Sequence, residues 1–182
     1  MKQLQVGVTY QKSSSGFSNL IITLDKASFR FNKLLHFVGC VLLFIMMFLT
    51  TVDVIGRYFF NNPVIGATEL MRLFLVVVVF FGIGYTQSHK EHLEIDVFTN
   101  NLPQKAQLIL SLITYLVLTL VIALLSVQLF RHGINMYLGN EVSGDLEIPL
   151  YYFAVAAAIG SLSFAITYFI DTLKTIEKLV KR

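Results

Sequence analysis

In 182 residues the chain carries 55% hydrophobic and only 14% charged side chains, with a net charge of +3 and a mean hydropathy of +0.71. That balance predicts an integral membrane protein and excludes a nucleic-acid binder, because the positive charge sits at the ends and in one connection and forms no basic stripe on a soluble surface. A single cysteine, Cys40, excludes an internal disulfide and any Cys/His zinc spacing.

The first residues, 1–19, are polar and end in the Ser13-Ser14-Ser15-Gly16 run, so they read as a flexible segment with no cleavable signal peptide. Over 20–33 the pattern changes: Leu20, Ile21, Leu24, Ala27 and Phe31 approximate helical spacing, with Asp25, Lys26, Arg30 and Lys33 interleaved. This predicts an amphipathic helix at the inner membrane interface, or else a plain extension of the first span. Residues 34–182 form a four-helix transmembrane domain with a basic tail, the spans falling at about 34–57, 69–88, 106–130 and 148–170. A helix rising 1.5 Å per residue needs roughly 20 residues to cross about 30 Å of hydrocarbon. The second apolar run reaches that length if Arg72 turns its guanidinium out to the headgroups. A soluble bundle would interrupt such runs with a polar stripe, and the strands of a β-barrel would alternate, whereas 73–81 is apolar on every face.

Lys and Arg collect before the first span, between the second and third, and after the fourth, where anionic lipid accounts for the polybasic tail. The positive-inside rule then makes both termini cytoplasmic and turns 53–69 and 131–147 outward. In the first outward connection Asp53 and Arg57 stand one helical turn apart, as do Glu69 and Arg72, with Asn61-Asn62-Pro63 marking the turn between the two helices. Tyr58 follows Arg57. Charges at that depth are costly unless they are paired or face protein, so Asp53, Arg57, Tyr58, Glu69 and Arg72 are a candidate interhelical or subunit-interface network, with Arg57 expected to pair with Glu69. The second outward connection is acidic, and Glu141, Asp145 and Glu147 are candidates for docking a basic patch on an external partner. In the third span the polar groups Ser111, Thr114, Tyr115, Thr119, Ser126 and Gln128 are uncharged, and in the fourth Ala154, Ala156, Ala157, Ala158, Gly160, Ser161 and Ser163 offer a smooth surface for a neighbouring helix.

The order Arg57-Tyr58, Pro63, Glu69, Arg72, Gly82, then His92 and Asp96, resembles the small membrane subunit of tripartite ATP-independent periplasmic (TRAP) transporters, the DctQ family. The likeness extends to size and four-helix layout, although only 53–96 is motif-like. Two departures stand out. Members commonly carry a tryptophan about three residues after the proline, where this chain has Gly66, and the acidic pair before the arginine is reduced to Thr68-Glu69. The resemblance implies a non-enzymatic helper that braces a large membrane subunit and helps dock a periplasmic substrate-binding protein. Sodium and substrate would bind the large subunit, which works as an elevator, and this chain would carry no cofactor. The cargo would be an organic acid such as a C4-dicarboxylate or sialic acid. His92 and Asp96 would then fix the inner loop or touch the large subunit.

Rival readings are weaker on depth and spacing. A haem-bearing membrane anchor of a respiratory complex would need imidazoles facing one another across two helices. His36, His89, His92 and His132 do not sit at matching depths on such a pair. The His89-x-x-His92 stretch lacks the spacing of a zinc-protease motif, and no catalytic set assembles from the remaining residues. A self-sufficient small transporter would show a repeat and broken helices, and the two halves show neither.

Overall fold

The computed structural model describes residues 16–88 and 104–180, which form four long helices. These are α1 (Gly16–Phe59), α2 (Ala67–Ser88), α3 (Gln104–Leu138) and α4 (Tyr151–Val180). Each contains a stretch long and apolar enough to cross a membrane. In hydrocarbon a backbone polar group has no water to bond, so an uninterrupted apolar run closes its hydrogen bonds within one helix. This overrides the modest helix propensity of the β-branched run Val76 to Val79 inside α2.

The 44 residues of α1 extend about 66 Å, twice what a bilayer core requires. Of the two readings of 20–33, the structure makes the second: the segment is an extension of the first span within one helix, and residues 16–19, predicted as flexible, are helical with it. One side of the segment meets other helices: Ser28 lies 3.2 Å from Thr167 of α4, and Asn32 is fully buried. A stripe with protein neighbours has no need to lie flat in the headgroup plane.

Helix ends follow turn chemistry more closely than charge. After α1 the Gly56 carbonyl accepts the N–H groups of both Phe60 and Asn62, and Asn61 takes a left-handed φ of 50°, which asparagine tolerates. The predicted third span stops at the charged Arg131, but α3 continues to Leu138 and ends where Gly139 and Asn140 (φ 47°) turn the chain. The outer connection is therefore 139–150 and is folded. Val142 and Pro149 form an isolated antiparallel bridge, flanked by Ser143 N–H donating to the Ile148 carbonyl and Leu150 N–H to the Glu141 carbonyl. That bridge moves the start of the fourth helix from 148 to Tyr151.

α4 is the central helix, touching the other three, while α1 pairs with α2 and α3 packs chiefly on α4. Half of α4's apolar window is buried against 6% of α3's, so α3 stands at the margin. One core joins Leu35, Val77 and Phe81 with Leu42, Phe153 and Ala156; a second joins Ile122, Ala165 and Tyr168 with Tyr115, Leu118 and Phe164. The small-residue row of α4 is buried at Ala157, Ala158, Ser161 and Ser163. At Gly160 a methyl group would stand 2.8 Å from the Phe80 carbonyl oxygen, so the glycine lets the α2 and α4 backbones approach.

Candidate functional site

Both hairpin connections gather at one end of the bundle, and a carboxylate anchors each of them. Asp53, 5% exposed on α1, accepts from Arg57 Nη2 at 2.8 Å and from the Val64 backbone N–H at 2.9 Å. It thus neutralises a cation one turn along its own helix and ties down the chain after Pro63. Glu69, in the first turn of α2, reaches across to the other connection. Its Oε1 accepts the Gly144 N–H at 2.6 Å, and its Oε2 accepts those of Asp145 at 3.0 Å and Leu146 at 3.2 Å. Bonds from N–H groups to an ionised carboxylate are stronger than neutral ones. The Leu146 side chain sits over Gly66, whose φ is 74°, and any Cβ there would collide with it. Two loops distant in sequence become one surface.

The expected pairing of Arg57 with Glu69 is therefore not the one the structure makes. Arg57 belongs to Asp53, and Glu69 is committed to loop amides. Arg72 is exposed and forms no ion pair among the described residues, as its place on the outer face of α2 allows. Tyr58 is 82% exposed and packs edge-on against Phe59 at 5.2 Å, apart from the charged groups. Glu141, Asp145 and Glu147 are all exposed on the 139–150 connection, with Glu147 held at a φ of 52°. His92 and Asp96 lie outside the described residues.

At the opposite end the bundle holds a second polar cluster, which the sequence reading did not single out. Asn32 is its hub: Nδ2 donates to Thr167 at 2.9 Å and Ser88 at 3.0 Å, and Oδ1 accepts from Ser163 at 2.7 Å. Three helices are joined by one amide. Gly84 passes so close to Asn32 Oδ1 that no side chain would fit there. One turn further, Gln87 Nε2 donates to Asp171 Oδ2 at 3.2 Å, and Lys174 bridges Asp171 and Asp25 of α1. His36 and Tyr85 stack at 4.2 Å and 5° beside this cluster. The available signal was the four-residue stride Ser163, Thr167, Asp171, Thr175 along α4, each of them buried. A buried polar stripe on an apolar helix marks a face turned to protein.

Chemically the two clusters hold helices and loops in register. Each carboxylate in them is matched by backbone N–H groups, an amide or a cation, and among the described residues no group of three His, Cys, Asp or Glu converges as metal ligands would. The family model for tripartite ATP-independent periplasmic transporters, DctQ component, matches residues 46–178. The ectoine TRAP transporter small permease protein TeaB of Halomonas elongata is 23% identical over 162 residues, 89% of this chain and 82% of that one. A putative TRAP transporter small permease protein of Haemophilus influenzae is 30% identical over 151 residues, 81% and 86% of the two chains. The sialic acid TRAP transporter permease protein SiaT of Haemophilus influenzae is 32% identical over 74 residues, which are 41% of this chain and 12% of that much longer one. With a match across both loop-end carboxylates and relatives that are small permeases over most of their length, the chain belongs to the DctQ family, as a multi-pass small permease component of TRAP transporters in the inner membrane.

Proposed function

We propose that this chain is the static scaffold of a sodium-coupled TRAP transporter, bracing the large transport subunit within the membrane and presenting its two joined loops to a periplasmic substrate-binding protein. The observation that carries this reading is the capture of the 144–146 backbone by Glu69, which turns two loops into one firm acidic surface. A docking face that is already ordered loses little freedom on binding. On this reading the termini are cytoplasmic, in keeping with the basic residues near them, and the loop end faces the periplasm. Sodium and solute bind the large partner. The names of the relatives support a division of labour, since small permeases of one plan serve ectoine in one system and a permease for sialic acid in another shares the plan in part. The cargo is an organic acid such as a C4-dicarboxylate or sialic acid, chosen by the other chains.

The test is reconstitution. Uptake into sodium-loaded gradients of proteoliposomes should require this chain, the large subunit and the binding protein together. Uptake by this chain alone, or full uptake without it, would overturn the reading.

A further inference from the structure

The side of α1 turned away from the bundle combines two features along one line. Lys26, Arg30 and Lys33, spaced four and three residues apart, are exposed together, and the same line continues through Phe37, Phe44 and Phe48, each 66% exposed. The opposite side of the helix is the one that buries Leu35 and Asn32 against α2 and α4. None of the three cations forms an ion pair among the described residues, because the nearby Asp25 is turned inward to Lys174. One end of the line is thus cationic and the rest is an aromatic ridge.

We propose that this face binds an anionic phospholipid, with its phosphate held by Arg30 and Lys33, reinforced by Lys26, and its acyl chains lying along Phe37 and Phe44. Charge complementarity selects the headgroup, since each basic residue near an anionic surface favours it by a factor of about five. Length selects the tail. From Lys33 to Phe44 the helix advances about 16 Å, close to the 15 Å or so of one leaflet's hydrocarbon. The exposed Phe37, Phe44 and Phe48 give an acyl chain a continuous apolar track along the helix.

The full-length chain is assembled in nanodiscs of phosphatidylcholine containing a minority of phosphatidylglycerol, released into mild detergent, and weighed intact with its retained lipids. Phosphatidylglycerol should be retained in excess over its share, and Arg30→Gln with Lys33→Gln should lower that preference about 25-fold. The charge-keeping pair Arg30→Lys with Lys33→Arg should preserve it, which separates lipid binding from misfolding. Retention in proportion to the mixture, or a preference unmoved by the glutamine pair, would overturn the proposal. So would a photo-crosslinker at Phe44 that captures a protein chain instead of lipid in native membranes. These readouts need no transport, so they stand or fall separately from the scaffold role.

Discussion

Glu69 and Gly66 show how much of the loop end depends on single positions. Glu69→Ala should speed amide exchange at Gly144, Asp145 and Leu146 together, and Glu69→Gln, which keeps one acceptor oxygen, should fall between the variant and the parent. Hydrogen exchange by mass spectrometry resolves that order; an effect confined to one of the three amides would contradict the shared capture. Gly66→Ala should cost about 1–2 kcal/mol from the left-handed backbone alone, with a further penalty from overlap with Leu146. Thermal unfolding in detergent should show Leu146→Ala recovering the overlap but not the backbone part. With this loop arrangement a side chain as large as an indole would have no room at Gly66. The importance of Glu69 as a charged residue was legible from its cost at that depth. Its partner was not, because backbone N–H groups leave no mark in a sequence.

At the level of helices, the apolar runs declared the number and approximate position of all four, since length in hydrocarbon is a direct physical demand. Their ends were read less well. Arg131 looked like a boundary, yet a charge does not stop a helix, whereas Gly139 and Asn140 do. The Asn32 hub escaped notice for a different reason: its partners, Ser163 and Thr167, are 131 and 135 residues away, and pairing over that distance is a property of packing. Truncating Asn32 and Ser163 to alanine singly and together should give a coupling near 0.6 kcal/mol and no more than about 1.7 kcal/mol in a reversible unfolding assay, as for other polar contacts between membrane helices. Additive losses would mean the bond contributes nothing. Gly160→Leu should cost about 1–3 kcal/mol by prising α4 from the Phe80 backbone, visible as weakened engineered crosslinks between α2 and α4 with those between α3 and α4 retained.

Across the whole molecule, charge is divided between an acidic loop end and basic residues towards the termini. Under the proposed docking role, Glu141→Gln, Asp145→Asn and Glu147→Gln in one chain should weaken capture of a periplasmic binding protein at low ionic strength, and the difference should shrink as salt shortens the screening length below about 8 Å. Titrating uptake against binding-protein concentration at two salt levels measures this; equal half-saturation in both chains at low salt would remove the docking role. Asp145→Asn leaves the backbone N–H that Glu69 accepts, so the surface keeps its shape. The arrangement of helices also bears on how the chain is made. Since α3 packs chiefly on α4, it has no steady companion while ribosomes are still adding the last helix, whereas α1 and α2 can pair as soon as both emerge. Biogenesis should therefore be ordered, with an early hairpin, a third segment that lacks its main partner among the described residues, and a final helix whose arrival closes the bundle; a message cut short before Tyr151 should leave that third segment open to membrane proteases.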